Sequence, residues 1–351
     1  MRANWFQQNF VSVFVFFFYL FLTLPAVGSE PVHVMDSKGR VITLAKTPER
    51  IGCLYAFCGH VVTMLDRGPD MVAIVNGLKK DLLLNQIVPS IKKMPVPAKG
   101  GIINIEALLK TRPDIIFLKP ETAAITAEIK KLERFKLPYF VAGYRSMAQQ
   151  MAIIENMGKA IGRYDKALAY TRYYKNIIKK VSSITIAIPN EKRQRLYHSI
   201  NEATRTDAPG TIEADWTKVT GVINVSVGNF LHTKGNKHFA DIEQIIIWNP
   251  DVIIVNEDGV DKKILTDKKW ASIKAVQNKQ VYAIPVGISR WGHPGGLETP
   301  LAILWTAKKV YPKYFLDIDL RKEIQHFYKT FFNIKLNKAM IDKILANKGM
   351  R

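Results

Sequence analysis

Cysteine is the scarcest chemistry-bearing residue here: the 351 residues hold two, Cys53 and Cys58. Their C-x4-C spacing is neither the C-x-x-C of a redox pair nor half of a zinc ribbon. A disulfide across a short loop and a pair of buried thiols both stay open. Acidic residues are also few, with 30 Asp and Glu against 51 Lys and Arg and a formal net charge of +21. So basic a chain raises nucleic acid as a partner, but the lysines are spread rather than blocked, and the export signal described below argues against it. An anionic small ligand, or simply a Lys-rich proteome, accounts for the charge. Catalytic signatures are missing as well. There is no G-x-S-x-G, no H-E-x-x-H and no G-x-x-x-x-G-K phosphate loop, so nothing supports an enzyme. No dense His, Asp or Glu cluster at metal-ligand spacing exists, which disfavours a naked Zn²⁺ or Mn²⁺ site.

One apolar run approaches membrane length. Residues 10–24 follow a positive start at Arg2 and end in Pro25 and the small-residue site Ala26-Val27-Gly28. The pattern is a secretory signal over residues 1–28, cleaved before Ser29, and the run is short for a spanning helix. No cysteine stands at the cleavage site, which argues against a lipid anchor. The expected compartment is the periplasm of a Gram-negative cell.

What the chain does have is an internal echo. Residues 238–255, HFADIEQIIIWNPDVIIV, repeat the pattern of residues 101–118, GIINIEALLKTRPDIIFL. Glu106 matches Glu243 and Pro113-Asp114 matches Pro250-Asp251 at one constant offset. Each copy predicts a short helix with an acidic first turn, a Pro-Asp stop and a buried strand. Two copies are too few for a solenoid, so two similar α/β lobes are the simpler reading.

The chain predicts a strand-turn-strand flap over 31–48 and strands over 50–54, 71–75 and 139–142, with a helix over 121–135. In the second half it predicts strands at 195–200, 222–225, 251–255 and 280–285. Strands alternating with helices, and continuously apolar, argue parallel sheets covered on both faces. Residues 146–182 read as helical and proline-free, with a break marked by Gly158 and Gly162. The piece over 164–181 is long enough to act as the single rigid connection between lobes. The expected organisation is therefore a signal (1–28), a first α/β lobe (29–145), a helical connection (146–182) and a second α/β lobe with a helical tail (183–351).

These features resemble a known family. RIGCLYAFCGHVVTMLD and GGIINIEALLKTRPDIIFL in the first half are similar to periplasmic iron-chelate binding proteins. So are IIIWNPDVIIV and LTDKKWASIKAVQNKQVYAIPVGISRWGHPGGLETPLAILWTAKKVYP in the second. These are class III substrate-binding proteins of ABC importers, alongside the vitamin B12 binder. The resemblance implies two Rossmann-like lobes joined by one long helix, ligand held between them, and limited hinge motion. It also implies a monomer that delivers a ferric siderophore-like chelate to an ABC permease dimer with its ATPase. No intrinsic cofactor is expected, iron arriving as the chelated ligand. Molybdate or tungstate, a corrinoid or haem on the same fold are alternatives. A ligand-presenting sensor or an exported enzyme would be a different class.

Ligands of open α/β sheets bind beyond the carboxyl ends of the strands. That rule selects the loops at Tyr55–Cys58, 76–79, 119–121, 143–145, 199–205, 256–258 and 286–293. The richest is 287–293, GISRWGH. Arg290 offers a planar fork to oxygen-rich anions, Trp291 a flat apolar face, and His293 a metal ligand. Packing of Trp291 and helix capping by His293 are the plainer readings. Tyr55, Lys99, Arg145, His198 and Arg205 complete the candidate binding set. Glu106 and Glu243 suit helix first turns, with Asn104 and Asp241 as N-caps, and capping alone explains them. Their matched positions, one carboxylate per lobe, suggest instead a pair facing one way. In the resembled family the glutamates of this motif dock onto arginines of the permease.

Overall fold

Apolar runs such as IIFL at Ile115–Leu118 and VIIV at Val252–Val255 leave no side for water, and both form fully buried parallel strands. The computed structural model describes residues 31–348; the signal segment 1–28 lies outside the described residues. The first half holds β1 (Val32–Met35), β2 (Val41–Leu44), β3 (Ile51–Leu54), β4 (Met71–Ile74), β5 (Ala98–Lys99), β6 (Ile102–Ile103), β7 (Ile115–Leu118) and β8 (Tyr139–Val141). β3, β4, β7 and β8 make a four-stranded parallel sheet in the order β4-β3-β7-β8. β1 and β2 form the expected antiparallel flap.

The second half holds β9 (Arg195–Ser199), β10 (Arg205–Thr206), β11 (Ile223–Asn224), β12 (His232–Lys234), β13 (Lys237–Phe239), β14 (Val252–Val255) and β15 (Val281–Ala283). Its seven-stranded sheet runs β12-β13-β10-β9-β14-β15, with β11 also on β9. This sheet is mixed rather than purely parallel: β9, β11, β14 and β15 are parallel, while β10, β13 and β12 extend it antiparallel. The chain returns from β9 to β10 too soon for a crossover helix, so antiparallel pairing is the only option. The segment expected as one helix over 121–135 divides into Pro120–Ala123 and Thr126–Arg134.

The repeated motif has a structural meaning at its Pro-Asp. Asp114 Oδ2 accepts the backbone N–H groups of Glu49 and Arg50 at 2.8 and 2.9 Å, and Asp251 Oδ2 accepts that of Arg195 at 2.9 Å. The N–H groups of Asp114 and Asp251 donate in return to the carbonyls of Arg50 and Arg195, each at 2.8 Å. Each arginine then donates to the carboxyl end of its repeat helix. Arg50 reaches the Thr111 and Arg112 carbonyls and Arg195 that of Trp248, where the helix dipole favours a cation. Arg112 and Asn249, at matched positions, both turn left-handed, with φ of 46° and 43°.

Helices Met147–Ala160 and Tyr164–Thr185 lie between the two sheets in the chain. The break falls at Gly162, where φ is +68°. Gly158 stays inside the first helix for a packing reason, since a Cβ there would stand 2.6 Å from the Ala167 Cβ. The second helix, 22 residues long, spans about 33 Å at roughly 1.5 Å per residue. It buries Ala167, Tyr170, Tyr174, Ile177 and Val181, one stripe at helical spacing. Tyr170 and Tyr173 pack on Phe327 and Phe331 of the helix Leu320–Phe332. Just past that helix Asn333 Nδ2 donates to Asp66 Oδ1 of the first lobe at 2.9 Å. One core cluster runs through both halves, from Val34 to Ile344. The tail thus braces the lobes together with the linking helix.

Cys53 and Cys58 are free and buried, so the two-thiol reading holds. Burial pushes both thiols up in pKa, Cys58 further through the neighbouring Cys53.

Candidate functional site

The strand-end loops converge on a cleft of 1870 Å³. First-lobe walls come from Tyr55, His60, Lys99, Lys119, Glu121 and Arg145. Second-lobe walls come from Asn201, Arg205, Glu213, the 235–238 turn and the 289–295 loop. Of the candidates chosen from sequence, Tyr55, Lys99, Arg145, Arg205, Arg290 and His293 line this cleft; His198 and Trp291 do not.

His198, on β9, is fully buried and does not reach the cleft wall. Its Nδ1 lies 2.9 Å from Asp207 Oδ1, and its ring stands edge-on to Trp216 at 5.4 Å. Burial pulls its pKa down, yet the Asp207 carboxylate outweighs this and the net shift is upward. Trp291 is also fully buried, in the core that joins the lobes. The packing reading is the correct one for it: a ring with no exposed face cannot stack on a ligand in the cleft.

Buried Glu298 shapes the loop carrying these residues. It accepts the Ser289 N–H at 3.0 Å, the Ser289 hydroxyl at 2.5 Å, the Leu297 N–H at 3.2 Å and the Tyr328 hydroxyl at 3.0 Å. A Cβ on Gly287 would stand 1.7 Å from the Tyr328 hydroxyl oxygen, so the loop can only pass there as glycine. Arg290 is thereby aimed at the cleft, where it donates to Asn201 Oδ1 at 2.6 Å and pairs with Glu257. Its other terminal nitrogen stands 3.2 Å from His293 Nε2. Arginine has donors only, so Nε2 accepts and the proton sits on Nδ1. A metal at His293 Nε2 would have to displace that contact. Among the described residues no group of three or more His, Cys, Asp or Glu could hold a metal ion.

The sequence reading missed the link between His60 and the second lobe. His60 Nε2 is 2.9 Å from Asp81 Oδ2, and Nδ1 is 3.0 Å from the Gly295 carbonyl oxygen. The Gly295 N–H donates to the Tyr144 hydroxyl at 2.9 Å, while Gln150 and Tyr170 donate to the carbonyls of Gly296 and Leu297. The 295–297 turn is therefore held by first-lobe and linking-helix side chains. Glu213 was missed too. Burial, and then the Asp207 charge, raise its pKa to about 8, so it is protonated at neutral pH.

The charge balance follows. The cleft carboxylates Asp36, Asp81 and Glu121 pair with Arg40, His60 and Lys119, and Glu213 is neutral. Among the described residues Lys38, Lys99, Arg145, Arg205 and Lys237 line the cleft and make no ion pair. The cleft is cationic.

Glu106 and Glu243 lie outside it, exposed in the first turns of Ile105–Lys110 and Ile242–Trp248. Asn104 caps its helix by accepting from the Ala107 N–H at 2.9 Å. The expected counterpart fails: Asp241 makes no side-chain cap, because β12 brings His232 Nε2 to 2.8 Å from its carboxylate.

Comparison with known proteins agrees with this architecture. The molybdate-binding protein MolA of Haemophilus influenzae is 25% identical over 328 residues, covering 85% of this chain and 90% of that protein. Its structure with molybdate superposes with a TM-score of 0.76 at 23% identity, covering 87% of this chain and 99% of that one. A periplasmic solute binding protein of Veillonella parvula gives a TM-score of 0.76 at 24% identity, covering 90% and 97%. CeuE of Helicobacter pylori, as a nickel–histidine complex, gives 0.73 at 20% identity, covering 90% and 99%. The sequence pattern described as periplasmic binding protein matches residues 64–286. With most of its length inside that pattern, and with its two sheets facing one cleft, the chain belongs to the periplasmic binding protein family.

Proposed function

We propose that the protein captures an anionic metal chelate of the ferric siderophore type in the interlobe cleft and delivers it to the permease of an ABC importer. The observation that carries this reading is the cleft itself, large and lined by several cations, Lys38, Lys99, Arg145, Arg205 and Lys237, that make no ion pair among the described residues. At 1870 Å³ it exceeds the roughly 300–1,000 Å³ usual for small-molecule sites. A single tetrahedral oxyanion would occupy a small part of that space, whereas a chelate fills it and brings its own metal ligands. Iron then needs few ligands from the protein.

Molybdate is the second reading, favoured by the likeness to MolA along most of the chain. The same cations suit it, but it would need backbone N–H groups and closely converging donors rather than a wide cleft.

Native mass spectrometry with metal analysis, on protein from its own periplasm, tests both. Iron with an organic mass supports the chelate. Molybdenum without one, or titration showing tight molybdate binding and no ferric chelate binding, overturns it.

A further inference from the structure

The antiparallel extension of the second sheet ends in a hairpin with no place in the reading above. β12 and β13 join through Gly235 and Asn236, with Gly235 at φ +62° in the first central position of the turn, as a type II′ turn requires. The base is held by apolar packing, through Leu231 and Ala240. Beyond it the sequence TKGNKH, residues 233–238, contains no apolar side chain. β12 is exposed along its whole length, and the hairpin is held to the rest of the lobe by the pairing of β13 with the two residues of β10 and by the His232–Asp241 contact at 2.8 Å near its base. A segment with so few apolar contacts opens at low cost while the rest stays folded.

Its tip nevertheless reaches the opposite lobe. Asn236 Nδ2 donates to Glu121 Oε1 at 3.1 Å, a contact across the cleft mouth between residues far apart in sequence. Gly235, Asn236, Lys237 and His238 all line the cleft. Lys237 makes no ion pair among the described residues, and its strand neighbour His238 pairs in register with Thr206, next to Arg205. The hairpin therefore carries cationic and protonatable groups over a cleft that is already cationic. Like charges brought together without a partner repel, and a multiply charged anion between them removes that repulsion.

We propose that this hairpin is a lid over the cleft, latched by Asn236 on Glu121, and that Lys237 and His238 are its contacts to a multiply charged anionic ligand. The proposal rests on the reading of the cleft as an anion site and extends it to the element that controls exchange. A lid held by one polar latch opens without moving the lobes, which the shared core and bracing tail hold together.

The test uses the full mature chain and, as probe, ferric tris(catecholate), which is triply negative. Trypsin cuts after Lys234 and Lys237, so cleavage there reads the lid directly. Saturating probe should slow cleavage about tenfold, as expected when the open population falls by that factor. Asn236→Ala should raise the probe's dissociation rate several-fold with association little changed. Lys237→Gln should lower association and weaken its salt dependence. Both positions are exposed, and unchanged melting temperatures would show that the variants fold. If the probe binds but cleavage and both variants' rates stay within twofold of wild type, the lid is wrong and the reading of the cleft stands. Failure of both the probe and molybdate to bind would overturn the anion site and the lid's ligand together.

Discussion

His60, on the first lobe, holds the backbone carbonyl of Gly295, on the second, at 3.0 Å while its other ring nitrogen stands 2.9 Å from Asp81. A carbonyl and a carboxylate both accept, so both ring nitrogens donate and the imidazole is charged. Burial pulls its pKa down, but the hydrogen bond and charge of Asp81 prevail and the net shift is upward. A raised pKa makes this a stabilisation fully present below the ordinary histidine value of about 6.5 and lost as pH rises through the folded value. The melting temperature should thus fall as pH rises across that window. Asp81→Asn should flatten the dependence, measured by calorimetry at several pH values. A slope unchanged in the variant would mean that His60 is not charged.

Glu213 contributes a slope of the same sign by a different route. Its pKa rises to about 8 on folding, chiefly through burial. Stability is therefore lost between the ordinary glutamate value of about 4.3 and pH 8, as the folded protein resists ionising it. Glu213→Gln should remain folded and be more stable than wild type above pH 8. His198, raised chiefly through Asp207 and to a smaller extent through Glu213, should lose that smaller part of its upward shift in the same variant.

Arg290 and Glu257 should act in opposition on an anionic ligand. Arg290→Ala removes a charge-assisted donor, costing about 1.5–3 kcal/mol, which is roughly ten- to a hundredfold in affinity. Glu257→Gln removes the counter-charge and should tighten binding. Titration of the two variants with ferric tris(catecholate) reads both directions.

Trp291→Ala should damage the fold rather than the site. Truncating a fully buried tryptophan costs about 3–5 kcal/mol, read as a lowered denaturant midpoint. Trp291→Phe, closer in volume, should keep the affinity of the ligand within twofold of wild type.

Glu106→Lys with Glu243→Lys should abolish uptake and leave ligand affinity intact, since both residues are exposed and lie outside the cleft. Single variants should transport at intermediate rates. Normal transport by the double variant would leave capping and the helix dipole as the whole role of these glutamates.

Much of the site was legible because strand ends are legible. Tyr55, Arg145, Arg205 and Arg290 follow apolar runs whose carboxyl ends face one cleft, and the run marks the end wherever the partner strand lies. His198 and Trp291 were misplaced because burial settles both: His198 is held by Asp207 against Trp216, and Trp291 lies in the core shared by the lobes. The hairpin of β12 and β13 escaped notice because its charged residues carry no apolar alternation to announce a strand.

Local chemistry determined by itself the two-lobed plan, the repeat with its Pro-Asp turns, the helical connection broken at Gly162 and the cationic excess. These depend on periodicity, backbone preference and charge, which act between near neighbours or on the chain as a whole. Only the tertiary structure decided which cations keep their charge unpaired in the cleft, that Glu213 is neutral, that His60 reaches Gly295, and that Asn236 meets Glu121. Each of those depends on burial and on contacts between residues distant in sequence, and desolvation and hydrogen-bond geometry exist only once the lobes have packed.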